Sequence, residues 1–193
     1  MKSRNELKKI ILSRIFEIKE VISVTITGSI TKNFDLSNIG DVDTVVIVDK
    51  LNKKVFLKCI DALKKISIIS IDKIKYKIII NSTFGPLKIK NNKNELVIHL
   101  MIYDVKGHID HCINSPFTCY DWERSKIFKG IELKKIYSPR RLHLKDFLNS
   151  RRSALDYIRD INSNKLSYRE YFFSKNTYYQ KKKYKKLIKN QKF

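Results

Sequence analysis

Apolar residues recur along this chain with two distinct periods, and the switches between them mark out its elements. Leu7, Ile10, Ile11, Ile15 and Ile18 fall at helical spacing behind Ser3 and Glu6, which have the form of a capping box, so a first helix is predicted over 4–19. Residues 21–27 alternate Val and Ile with Ser and Thr, a pattern that suits a half-buried strand. A polar loop follows over 29–40. Residues 42–48 are, Asp43 apart, a β-branched run, the mark of a strand buried on both faces. Phe56, Ile60, Leu63 and Ile66 give a second amphipathic helix. Residues 71–80 and 86–90 read as two strands joined by a turn over 81–86 that holds Gly85 and Pro86, and 95–103 is a further strong strand.

The pattern turns helical from about residue 140. Leu144, Phe147, Leu148, Leu155 and Ile158 form one stripe, with Lys145, Asn149, Arg152, Asp156 and Arg159 on the opposite face. Ser167 and Glu170 repeat the capping-box spacing and predict a last helix. Helix, strand, strand, helix and strands in that order give an α/β (α+β) fold, a mixed sheet flanked by helices with a helical C-terminal part. No repeat or Pro/Ser/Gly-rich linker divides the chain. The organisation expected is a core over 1–137 and a basic helical extension over 138–193, packed as one compact unit.

Composition narrows the function classes. The 193 residues are 42% hydrophobic and 31% charged, as in ordinary globular proteins, and no apolar run approaches the roughly 20 residues needed to cross a bilayer. No membrane partner is expected, and the charged N-terminus leads into an amphipathic segment rather than a signal core, so the expected compartment is the cytoplasm. Three irregularly spaced cysteines argue against a disulfide framework. The net charge of +22 favours a polyanionic partner such as RNA, although a chain rich in Lys, Ile and Asn also reflects AT-rich coding. The last thirteen residues carry seven lysines and no acid, interleaved with tyrosine, which suits single-stranded nucleic acid as well as a solvated terminal helix.

The informative stretch is Thr27-Gly28-Ser29, then eleven residues, then Asp41-Val42-Asp43 at the head of the apolar strand. Residues i and i+2 of a strand share a face, so Asp41 and Asp43 project together. Two carboxylates so placed repel each other unless a cation or protons compensate, and two hard oxygen ligands suit Mg²⁺. Gly28 permits close backbone approach, and its N–H with the Ser29 hydroxyl makes a candidate phosphate cradle. A phosphate clamp beside a dicarboxylate metal site is what nucleotidyl transfer requires.

This arrangement of Gly-Ser, a loop and Asp-x-Asp leading into an apolar strand resembles the polymerase beta-like nucleotidyltransferase superfamily over about residues 1–105. The resemblance implies an enzyme that moves a nucleoside monophosphate from an NTP to an acceptor hydroxyl, with Gly28 and Ser29 on the β- and γ-phosphates and Asp41 and Asp43 on Mg²⁺ or Mn²⁺. RNA or tRNA, a small molecule, or a protein side chain as in toxin–antitoxin systems are the acceptors it allows. It also implies a third carboxylate on a later strand, and there the chain departs from the pattern. His99 stands where the acid is expected. His99 as general base, Asp104 or Glu95 as the third ligand through a bend, and a degenerate nucleic-acid-binding fold all stay open. The pattern leaves the oligomeric state open as well.

Weaker signals lie further on. His108, His111, Cys112 and Cys119 have zinc-type side chains but no standard spacing. Phe117, Tyr120, Trp122 and Arg124 suit either base stacking or packing against the core. Arg141, Lys145, Arg152 and Arg159 form a basic face that can track phosphates or simply be solvated.

Overall fold

The computed structural model describes residues 2–31, 41–66, 68–71, 74–84, 94–175 and 177–186. The strand expected over 86–90, most of the loop over 29–40 and the tail beyond residue 186 lie outside them.

The first helix, α1 (Lys2–Phe16), buries Leu7, Ile11 and Ile15 at four-residue spacing and ends three residues earlier than its apolar period implied. β1 (Val21–Thr27) leads into a single 3₁₀ turn, Ser29–Thr31, and β2 runs from Asp41 to Val48. α2 (Lys53–Lys64) starts at Asn52, whose side chain accepts a 3.0 Å bond from the Val55 N–H and so satisfies one orphan donor of the first turn. β3 (Ile68–Ile71) and β4 (Ile74–Asn81) pair antiparallel, and β5 spans Glu95–Asp104. α3 (Val105–Asn114), α4 (Pro116–Glu123), β6 (Phe128–Gly130) and α5 (Leu133–Ile136) complete the central body.

Among the described residues the main sheet has six strands in the order β3-β4-β5-β2-β1-β6. β4, β5 and β2 run parallel, while β1, β3 and β6 pair antiparallel to their neighbours. Parallel strands are stable when both faces are covered, and this pairing explains the apolar run over 45–48 in β2. Val42, Val46, Val48, Ile98, Leu100 and Ile102 face α1 and α2. Val45, Ile47, Met101 and Tyr103 face the other way, onto Cys112, Cys119, Trp122 and Leu133 of the later helices. Each large side chain so buried contributes about 1.5–3 kcal/mol.

The C-terminal part departs from expectation in two ways. α6 (Leu144–Asn162) forms as expected, but its apolar stripe does not face the core: Leu144 is 75% exposed, and Phe147, Leu148, Leu155 and Ile158 are about half exposed. The last helix does not form. Ser167 and Glu170 lie in β7 (Lys165–Phe173), which pairs antiparallel with β8 (Tyr178–Lys186). Tyr168, Tyr171, Phe172 and Phe173 favour a pleated surface, and no helical apolar stripe follows the box to support a helix.

Backbone and side-chain bonds tie the hairpin to the central body. Phe84 and Arg169 exchange backbone bonds of 2.9 and 2.7 Å. Farther along, where β4 has ended, the Tyr171 hydroxyl accepts from the Ile102 N–H at 2.7 Å and donates to the Ile102 carbonyl at 2.6 Å.

The first turn of α6 is held by Asp146, which takes two bonds from the Arg140 guanidinium (2.7 and 2.9 Å) and one from the His143 N–H (2.8 Å). The Arg140 hydrogen bonds and the His143 N–H together hold its carboxyl down at about 2. A carboxylate depressed in the folded state adds stability above its unfolded value, about 3.9, and loses it as pH falls toward 2. The melting temperature should therefore drop between pH 4 and 2, and Asp146→Asn should flatten that part of the profile in a thermal melt followed by circular dichroism. An unchanged acid limb would remove this pair from the stability of α6.

Candidate active site

The open face of the sheet ends in a cleft of about 690 Å³ at the N-terminal end of β2. Strand alternation brings Asp41 and Asp43 to that face, while Val42 between them is buried against the helices on the other side. The parallel register sets His99 directly beside Asp43. Donor atoms of Asp41, Asp43 and His99 all lie within 4.8 Å of one another, and among the described residues no other group of three His, Cys, Asp or Glu side chains converges in this way. The His99 side chain is 13% exposed and that of Asp43 29%, so the group is sheltered yet open to the cleft.

His99 is held from both sides. Its Nε2–H donates to the Thr83 carbonyl at 2.7 Å, and its Nδ1 faces Asp43 Oδ1 at 2.9 Å. The Thr83 turn is set in place by Asn81, which lies opposite His99 on β4 and whose Oδ1 accepts from the Thr83 N–H (3.1 Å) and hydroxyl (2.7 Å). Burial works against the charged ring, but the hydrogen bond and charge of Asp43, with the Thr83 carbonyl and Asp41, outweigh it and raise the His99 pKa. Both nitrogens face oxygen acceptors, an arrangement that favours the protonated ring over the neutral one.

Gly28 follows Thr27, which pairs with Asp43 across β1 and β2. Its φ of +77° favours glycine, and a Cβ there would run into the Asp43 carboxylate. The turn after it is closed by the Thr31 hydroxyl and N–H on the Gly28 carbonyl, at 2.7 and 3.2 Å, and is anchored by buried Ile30. Ser29 is exposed at the start of that turn.

Asp104 stands elsewhere. It lies opposite Val48, five residues beyond His99 and thus roughly 16 Å along the strand. There it caps α3, accepting from the Gly107 N–H at 2.7 Å and the Tyr178 hydroxyl at 3.3 Å. Glu95 is at the other end of β5, beside Lys77, and is not part of the converging group.

The His/Cys cluster packs instead of converging. Cys112 lies 3.7–3.9 Å from the His108 ring, whereas His111 turns away to stack on Trp122 at 5.1 Å between centroids. Burial, then the charges of His108 and Arg169, depress the His111 pKa to about 4, so that ring is neutral near pH 7. Trp122 is buried beneath the cleft, Arg124 lies over the Tyr120 ring, and Phe117 meets Phe147 edge-on.

Further residues line the cleft, of which Met101 and Tyr103 share the His99 face by strand alternation. Phe84, Met101, Tyr103 and His111 form an aromatic-rich floor, in which the Tyr103 hydroxyl and His111 Nε2 have no hydrogen-bond partner among the described residues. Ser153, Asp156, Tyr157 and Asp160 of α6 and Arg169 and Lys182 of the hairpin form the far wall. Only a correct reading of the hairpin would have brought those last two to the site.

The family model of the nucleotidyltransferase domain matches residues 5–99, a span that runs from α1 to His99. No curated protein and no solved structure matches the chain.

Gly28→Ala tests how closely the turn and Asp43 are coupled. It should destabilise the fold by about 1–3 kcal/mol through the left-handed backbone alone. By displacing the Asp43 carboxylate it should also disturb the Asp41–Asp43–His99 group as a candidate cation site, read with Mn²⁺ as the probe in calorimetric titration of parent and variant. Unaltered Mn²⁺ binding would show that the turn does not set the Asp43 position.

Proposed function

We propose, from the premise that residues 5–99 belong to the nucleotidyltransferase domain family of the polymerase beta-like superfamily, that this transferase moves a nucleoside monophosphate from an NTP to an acceptor hydroxyl and releases pyrophosphate. The observation that carries the reading is the convergence of Asp41, Asp43 and His99 on one cleft, beside a glycine turn that leaves no room for a side chain.

The donor set suits a divalent cation. Asp41 and Asp43 offer hard oxygen ligands that repel each other without compensation, and such ligands take Mg²⁺ or Mn²⁺. Bound there, the ion would neutralise phosphate charge and polarise the phosphoryl group under attack. Gly28 and Ser29 would receive the departing phosphates through backbone N–H groups and the hydroxyl. His99 would act as a positioning residue rather than as the general base, because Thr83 and Asp43 occupy both of its nitrogens. It would fix the Asp43 carboxylate from the position where the superfamily pattern puts a third acid.

A second reading, nucleotide or nucleic-acid binding without turnover, rests on that same exchange of acid for His99.

Two experiments address the site. Asp41→Asn with Asp43→Asn should abolish the thermal shift given by Mg-NTP, about 2.7 kcal/mol at a hundredfold excess over Kd, and leave the fold intact or slightly more stable. A double variant that keeps the shift would place the nucleotide elsewhere. His99→Ala should lower turnover about 10–100-fold, and His99→Gln, which can still donate to Asp43, should recover much of it. Equal loss in both variants would return the general-base role to His99. If the parent binds Mg-NTP but no acceptor screen yields pyrophosphate, the binding-only reading holds.

A further inference from the structure

The hairpin concentrates charge to a degree the rest of the fold does not require. Residues 165–186 hold eight Lys or Arg against the single acid Glu170. Lys182 and Lys183 have acidic neighbours, Asp160 at 3.7 Å and Glu170 at 2.6 Å. Lys181, Lys185 and Lys186 are exposed, with no carboxylate in ion-pair range among the described residues. Exposed rings stand on both faces of the ribbon: Tyr179, 55% exposed, stacks on Phe172 at 5.6 Å on the face it shares with Lys181, Lys183 and Lys185, and Tyr184, 53% exposed, lies under the Lys182 ammonium on the cleft-lining face it shares with Lys186. Tyr171, Phe173 and Tyr178, by contrast, pack on the main core and hold the ribbon in place. At the cleft end the cross-strand pair Arg169 and Lys182 line the same cavity as Asp41 and Asp43.

We propose that the β7–β8 hairpin binds a single-stranded polynucleotide and leads its end into the Asp41–Asp43 cleft, so that the acceptor is a terminal sugar hydroxyl. This assignment rests on the nucleotidyl-transfer reading and names its acceptor class. On each face of β8 cations stand beside an exposed planar ring, a match for a chain that offers both phosphates and unstacked bases along this strand. A duplex keeps its bases stacked inside and would leave the tyrosines unused. An acidic polypeptide would meet the lysines but not the rings. In the transfer, the acceptor oxygen bonds to the α-phosphorus of the NTP as the bond to pyrophosphate breaks. The hydroxyl proton goes to solvent and pyrophosphate is the leaving group.

Binding is measured on the whole chain without NTP or metal, by fluorescence anisotropy of labelled twelve-nucleotide oligouridine and oligodeoxythymidine. A twelve-base-pair duplex and polyglutamate serve as competitors. Either single strand should bind, and both competitors should displace it poorly. Lys181→Gln with Lys185→Gln and Lys186→Gln should make the slope of log K against log salt shallower by about 2, near 0.7 for each lost phosphate contact. Tyr179→Ala and Tyr184→Ala should each weaken binding about tenfold and leave that slope unchanged. All five positions are exposed, and circular dichroism confirms folding. An unaltered slope in the lysine variant, parental affinity in both tyrosine variants, or equal competition by duplex or polyglutamate would overturn the assignment. The Mg-NTP thermal shift separates the two proposals. A shift that persists while oligonucleotide binding fails leaves the transfer reading standing without this surface. Oligonucleotide binding with no shift leaves the surface standing without the transfer.

Discussion

Side chains alternate along a strand, so the register in which β2 lies beside β5 decides which of their groups meet. Asp43 lies beside His99, Val45 beside Met101 and Ile47 beside Tyr103, all on the cleft side. A slip of one residue in β2 would turn Asp41 and Asp43 toward α1 and α2, into a core made of Leu, Ile and Val. Burying two carboxylates there costs several kcal/mol each, far more than a strand pairing returns. The apolar run that makes β2 a central strand therefore also keeps its two acids pointing outward. The rest of the site follows from that constraint: Gly28 has to be a glycine because Asp43 is beside it, and Asn81 and Thr83 hold His99 because β4 continues the same register.

Of this central layer α1, β1, β2, α2 and β5 were legible because their patterns are local, whereas β3 and the three-residue β6 were not read, and the strand expected over 71–80 is divided between β3 and β4. β1 occupies the residues its alternation marked, and the aspartate pair was visible from period two alone. His99 was legible as a position; its double tether was not, because that depends on a turn carbonyl brought in from another strand. Asp104 reads as a candidate ligand only if β5 bends to bring it back toward His99. Once the strand runs unbroken to residue 104, the distance along it excludes Asp104 and its carboxylate serves the next helix. The hairpin was misread because Ser167 and Glu170 match a capping box in spacing, while the aromatic residues after them carry the stronger preference for strand.

The helical stripe on α6 shows the limit of amphipathicity as a guide to orientation. Its period is real, yet the face turned to the cleft is the one with Ser153, Asp156, Tyr157 and Asp160, and the apolar face is turned outward. A helix that walls a polar cavity inverts the usual rule, since the groups it must present inward are those that a charged ligand needs. α6 and the hairpin together give the cleft acidic, hydroxyl and basic groups in addition to the aspartates.

The two bonds between Tyr171 and Ile102 have a consequence for how the chain reaches this state. A parallel strand with a free N–H and C=O is a template for another copy to pair with, and native proteins cover such positions. In this fold the cover is a single phenol hydroxyl from a segment about seventy residues later, bonded at 2.7 and 2.6 Å. During synthesis the sheet emerges first and stays open at that point until the hairpin arrives. The interval is one in which intermolecular strand exchange competes with docking, so the hairpin acts as an intramolecular guard on the sheet before it acts as a wall of the cleft.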